Sequence, residues 1–259
     1  MALFLLALGF IALYSVLTRG ATGNIVWRLT GENYVRLVDW IYLHVLLRSV
    51  WMSAATTCAC LVLGYPLALF IVQQPGRWRT VLVILMLVPF WTNFLVRTYA
   101  WMLILNHNGL INTTLQRWGF APLTLINTEG AVLLGLIYGA LPFMVLPIYA
   151  SLDRFDWRLL EAAADLGASP WQAFRRVLLP LTLPGVAAGT VLVFIPTIGQ
   201  FVVSDLLGGA KVALLGNLLQ DQFKSAQHWP FGSAIAVVCV AVLALGVVVT
   251  MRTNKEEAS

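Results

Sequence analysis

The amino-acid sequence predicts an all-α integral membrane protein, a single domain over residues 1–259 with about six transmembrane helices and one cytoplasmic helix-turn-helix loop. Three observations carry this. Hydrophobic residues make up 60% of the chain and charged ones 10%, with a mean hydropathy of +0.85, whereas a soluble domain mixes the two more evenly. Six stretches reach or approach the roughly 20 apolar residues that a helix needs to cross the hydrocarbon core. Charged and apolar residues mix at length in only one place, residues 152–184.

The first stretch, residues 2–18, has no basic residue ahead of its apolar run and no clear cleavage site before Arg19, so a span is preferred to a secretory signal. It is short for a crossing, and whether it is complete at its N-terminal end stays open. The second, 46–72, contains Pro66; the third, 80–105, contains Pro89; the fourth, 130–150, contains Pro142 and Pro147. The fifth, 186–206, carries Pro196 followed by Gly199, and the sixth is 232–251. Backbone groups freed by these residues need partners in neighbouring helices or a water-filled cavity, which predicts a bundle around a pathway. Kinked helices serving packing alone are the alternative at each proline.

An even number of spans puts both termini on one side. With cytoplasmic termini, Arg77, Arg79, Arg154, Arg158, Arg175, Arg176, Arg252 and Lys255 lie inside, against Arg19, Arg28, Arg36, Arg48, Arg117, Lys211 and Lys224 outside. The totals nearly balance, but the inner segments are shorter and so denser in basic charge, which favours that orientation. Basic residues are scattered, so the net charge of +5 does not indicate a nucleic-acid partner; membrane lipid is the expected surroundings. Cys58, Cys60 and Cys239 sit in apolar runs with no metal-ligand spacing and are expected to be small buried hydrophobes.

The loop carries its own instructions. Leu159, Leu160, Ala163 and Leu166 recur at helical spacing, and Gly167 permits the left-handed turn that ends a helix. Ser169 suits an N-cap, Pro170 the first helical position, and Gln172 completes a capping box. Helix, turn and helix are therefore specified locally.

Glu161-Ala162-Ala163, Gly167 six residues after the glutamate, and Val177-Leu178-Leu179-Pro180 resemble the EAA loop of ABC importer permeases. The resemblance implies a type I ABC importer-like permease of a bacterial inner membrane, whose loop docks on a cytoplasmic ATPase through Glu161, Ala162, Ala163, Gly167, Val177, Leu179 and Pro180. It further implies two cytoplasmic ATP-binding subunits, a second homologous permease subunit and a periplasmic solute-binding protein as partners. Small Ala162 and Ala163 permit close helix approach and Glu161 a charge-assisted contact. A loop that meets only lipid headgroups is the alternative.

Cys60–Ala68, Val88–Trp101, Leu141–Ser151 and Gly199–Gly209 are similar to the spermidine/putrescine branch of these permeases. Branches for opines and other organic solutes share much of this vocabulary. A polyamine path calls for carboxylates or aromatic faces. Asp205 and Glu129 are the acids near the outer ends of spans, and Trp91, Tyr99, Trp101, Phe194 and Phe201 are aromatic candidates, with interfacial anchoring as the competing role. Arg97 lies about 17 residues into the third stretch, hence roughly 26 Å along it. It either snorkels to the interface or faces the path, where it argues against a polycation or acts as a gate.

No Gly-x-x-x-x-Gly-Lys-Ser/Thr stretch occurs, so ATP and Mg are expected on a partner chain and no cofactor on this one. An ion-coupled secondary transporter, the rival of a different class, needs mid-span carboxylates that these stretches lack. His44, His107 and His228 are mutually distant and fit no catalytic motif, so no enzyme is expected.

Overall fold

The computed structural model describes residues 2–20 and 25–256. Helix α1 (Ala2–Ser15) leads into an antiparallel hairpin of β1 (Leu17–Arg19) and β2 (Ile25–Leu29), then α2 (Glu32–Leu37) and α3 (Trp40–Val72). After α4 (Gly76–Leu87) and a 3-10 turn at Val88–Trp91 come α5 (Phe94–Leu105) and α6 (Leu110–Arg117). The chain continues through α7 (Glu129–Asp153), α8 (Arg158–Asp165), α9 (Pro170–Ala173), α10 (Leu179–Ile198), α11 (Leu215–Gln220) and α12 (Trp229–Glu256). The side chains of Arg252 and Lys255 lie outside the described set.

Three helical runs among the described residues are long and apolar enough to cross a membrane: Trp40–Val72, Glu129–Asp153 and Pro170–Ile198, the last joining α9 to α10 through a π turn. Gly76–Trp91 and Phe94–Arg117 make a fourth if they count as one broken span, bent by 87°. The described apolar parts of α1 and α12, Leu5–Ser15 and Trp229–Val242, are shorter.

The structure departs from the sequence expectation in four places. The molecule is not wholly helical: α1 stops at Ser15 and residues 17–18 of the expected first span join a strand, held by Thr30 N donating to Val16 O at 2.7 Å. The expected span 80–105 is two helices. Pro89 has no donor for the turn before it, Thr92 and Asn93 are extended, and Asn93 Oδ1 accepts from Leu95 N at 2.8 Å to start a new helix. The expected fifth span ends at Ile198 with Gly199 as C-cap, and residues 199–206 turn back over the bundle, where Ser204 Oγ donates to Val212 O. Pro66, Pro142 and Pro147, by contrast, sit inside unbroken helices. Cys58 is exposed, while Cys60 and Cys239 are buried.

The core is a three-helix sandwich. α3 and α7 run parallel: Arg48 pairs with Glu129 at 2.6 Å at one end, and Arg79, just past α3, pairs with Asp153 at the other. Asp153 sits at the α7 C-terminus, where a negative charge opposes the helix dipole, so Arg79 offsets an unfavourable placement. α10 runs antiparallel to α7 and lies close against it. A Cβ at Gly185 would fall 2.6 Å from Ser151 Cβ and 2.7 Å from Pro147 O, so only glycine permits this approach. Met144, Val145, Ile148 and Leu152 of α7 are fully buried in between.

Candidate functional site

Two features stand out: the loop between α7 and α10, and a cavity between α5, α7 and α10. In the loop, Asp156 Oδ1 accepts from Arg158 N at 3.1 Å and starts α8. The helix ends in a full Schellman arrangement: Gly167 N donates to Ala164 O at 2.9 Å and Ala168 N to Ala163 O at 3.0 Å, with Gly167 at φ +85°. Ser169 N donates to Gln172 Oε1 at 2.9 Å and Gln172 N to Ser169 Oγ at 3.3 Å, the reciprocal capping box expected from the residues.

The second helix does not stop before α10 but runs into it. Pro180 cannot donate and its ring crowds the preceding turn, and the backbone accommodates this with the π turn Phe174–Leu178, in which Leu179 N reaches Phe174 O. Val177 and Leu179 pack on the core. Glu161, Ala162, Leu159, Leu166 and Trp171 are exposed, Leu166 at 89%, and among the described residues no cation pairs with Glu161. An exposed Trp and two Leu beside an unpaired carboxylate form a surface with partner-like chemistry.

That surface connects inward through contacts. Trp171 stacks on Phe174 with centroids 5.5 Å apart, Phe174 meets Tyr65 edge-on at 5.7 Å, and Tyr65 Oη lies 2.9 Å from Thr182 Oγ1. Thr182 donates to Leu178 O at 2.9 Å. The loop, α3 and α10 are thereby joined.

The cavity, about 340 Å³, is lined by Phe90, Phe94, Arg97, Phe143, Pro196 and Gln200 among others. Arg97 reaches back to the broken helix: Nη1 donates at 3.0 Å to Pro89 O, which also accepts from Thr92 Oγ1 at 2.7 Å, and the guanidinium lies 4.3 Å from the Phe90 ring centre and 6.0 Å from that of Tyr138. Its Nε is buried and finds no hydrogen-bond partner among the described residues. The side chain is thus turned toward the break and the cavity.

Of the other candidate path residues, none lines this cavity. Trp91 is 80% exposed and Tyr99 is exposed. Phe194 packs on the far side of α10 with Ile198, Leu215 and Phe231. Asp205 is exposed and accepts from Asn217 Nδ2. Trp101 sits behind the cavity, edge-on to Tyr138 at 5.5 Å, Phe201 offers its carbonyl to Asn217, and Glu129 is engaged by Arg48. Sequence reasoning missed Phe90, Phe94 and Phe143. The signal for the first two was Pro89 followed by Asn93, a breaker and a helix start inside an apolar run.

Residues 60–254 match the family model described as binding-protein-dependent transport system inner membrane component. The chain is 44% identical over 243 residues to the spermidine/putrescine transport system permease protein PotB of Haemophilus influenzae, covering 93% of this chain and 85% of that one. It is 32% identical over 274 residues to the inner membrane ABC transporter permease protein YdcU of Escherichia coli K12, covering 95% and 87%. Its fold is similar to a chain in the crystal structure of a bacterial ABC transporter that imports the acidic polysaccharide alginate, with TM-score 0.75, 14% identity and coverage of 96% and 88%.

Proposed function

The chain belongs to the binding-protein-dependent transport system inner membrane component family, and from that premise we propose that it is one permease half of an ATP-driven importer of spermidine and putrescine. The observation that carries the coupling role is the exposed loop surface around Glu161, Leu166 and Trp171, which continues into Pro170–Ile198 without an interruption of the helix. The substrate class rests on relatives named as polyamine permeases.

In this reading six segments cross the membrane, α1 and α12 supplying the first and last, with both termini cytoplasmic. Two ATP-binding subunits hold ATP and Mg, and each cycle moves the α8–α9 surface. Glu161, Ala162, Ala163 and Gly167 form the docking piece; Val177, Leu179 and Pro180 join it to α10. The motion reaches the cavity because Pro196 and Thr197 of the same rod line it. A periplasmic binding protein delivers the solute. Phe94 and Phe143 offer faces to ammonium groups, while Arg97, which already lies over the Phe90 ring, repels them, so the carboxylates of the path come from the second permease half.

A second reading is favoured by one observation. The buried, unpartnered Nε of Arg97 beside the cavity suits a carboxylate-bearing solute such as an opine or amino-acid derivative.

Radiolabelled putrescine and spermidine uptake in cells carrying the complete system tests both, with membrane abundance measured alongside. The intact chain is expected to take up a polyamine, and Gly167→Asp and Glu161→Lys to lose uptake at normal abundance. Uptake of another solute alone discards the substrate class; unchanged uptake in both variants discards the coupling loop.

A further inference from the structure

The end of the bundle that carries α2 and α11 gathers basic side chains around one ring. The Arg36 guanidinium lies 4.7 Å from the Phe231 ring centre and 5.8 Å from that of Tyr42. The His228 ring is 5.9 Å from the same Phe231, and its Nδ1 accepts from Phe231 N at 3.2 Å, which leaves Nε2 as the donor atom. Strand β1, which carries Arg19, packs against α12, and Arg19 and Arg36 both add to burial in holding the His228 pKa down. Among the described residues neither Arg19 nor Arg36 has a carboxylate partner; the two ion pairs lie elsewhere.

Next to this cluster, on the other side of Tyr42, is a cavity of about 250 Å³. Tyr34, Tyr42, Leu46, Leu218, Ile235 and Val238 line it, and the Tyr34 hydroxyl is already engaged with Ser15 Oγ at 2.7 Å. Unpaired cations at a rim and an apolar slot beside them match the two ends of one molecule.

We propose that this is a binding site for an anionic phospholipid, with its phosphate on Arg19, Arg36 and His228 and an acyl chain in the slot between α2, α3, α11 and α12. The charge selects the ligand. A zwitterionic lipid brings its own ammonium among two guanidiniums, whereas phosphatidylglycerol brings only negative charge. An acidic protein surface would satisfy the arginines and leave the slot empty, which is costly beside lipid tails that fit it. Stacking on Phe231 and Tyr42 holds the Arg36 head where a phosphate arrives, so little side-chain freedom is lost on binding.

The test uses the assembled transporter, delipidated in detergent and titrated with phosphatidylglycerol or phosphatidylcholine of identical chains, with retained lipid counted by native mass spectrometry. Phosphatidylglycerol is expected to be retained in preference, and Arg36→Gln and Arg19→Gln each to weaken it by about fivefold. Leu218→Trp, which fills the slot and leaves the charges alone, is expected to release it too. If Arg36→Gln disturbs assembly, Arg19→Gln on the exposed hairpin gives the same reading. Equal retention of the two lipids, or wild-type retention in the charge variants, overturns the site. Millimolar inorganic phosphate that displaces phosphatidylglycerol in full, or retention untouched by Leu218→Trp, overturns it in favour of a headgroup-only anion contact.

Discussion

Tyr65 Oη and Thr182 Oγ1 meet at 2.9 Å although 117 residues separate them, and the contact ties α3 to the first turns of α10. Phe174, in the π turn between α9 and α10, rests edge-on against the same Tyr65 ring. One buried side chain therefore senses the loop and holds two long helices.

Removing only the hydroxyl separates the two roles. Tyr65→Phe is expected to cost about 1 kcal/mol, because Thr182 retains Leu178 O as a partner. Tyr65→Ala also removes the ring under Phe174 and is expected to cost about 3–5 kcal/mol. Thermal unfolding of the purified complex measures both, and uptake in Tyr65→Ala should fall further than membrane abundance does.

Gly185 should tolerate no branched side chain. A Cβ there would overlap Ser151 Cβ and the Pro147 carbonyl, and Gly185→Val is expected to push α10 off α7 at a cost of about 1–3 kcal/mol. A melting temperature and uptake equal to those of the intact transporter would show that the helices are less close than described.

Arg97→Gln distinguishes the two substrate readings. Removing the charge lifts repulsion from a polyamine, so the KM for spermidine is expected to fall, whereas a carboxylate-bearing solute would lose its counter-charge and its KM would rise. The amide of Gln is also shorter than the guanidinium, so the bond to Pro89 O is lost, but that carbonyl keeps Thr92 Oγ1 as a partner and the melting temperature is expected to drop only slightly.

The Arg48–Glu129 pair is expected to contribute little by itself. The Glu129 side chain is 57% exposed, so a double-mutant cycle of Arg48→Met and Glu129→Gln should give a coupling of about 0.2–1 kcal/mol that shrinks with salt. Arg48 also donates to Lys211 O at 3.1 Å, so Arg48→Met alone should cost more than Glu129→Gln alone.

Acid should destabilise the fold through His228. Burial, and then Arg19 and Arg36, hold its pKa below the ordinary 6.5, against an opposing backbone hydrogen bond. The unfolded chain binds the proton more readily, so stability is full above that value and falls as pH drops through it. Melting curves at about pH 7.5 and about pH 5.5 are expected to differ in that direction, and less so in His228→Gln.

How much was legible depends on the range of the interaction. Gly167, Ser169 and Gln172 act on neighbours within three or four residues, and the loop's helix, turn and helix followed from them. The prolines did not sort themselves so easily. Pro89 and Pro147 look alike as breakers, yet only the first is followed by extended residues that start a new helix.

By itself the sequence determined the membrane class, the apolar helices and the turn chemistry of the loop, because hydropathy and capping are local properties. Only the tertiary structure decided which residues share the cavity. Trp91 and Tyr99 stand within a few residues of Arg97 and point elsewhere, while Phe143 arrives from α7 and Gln200 from the turn after α10. An 87° break and a close approach at Gly185 set those faces, and both depend on packing between segments far apart in the chain.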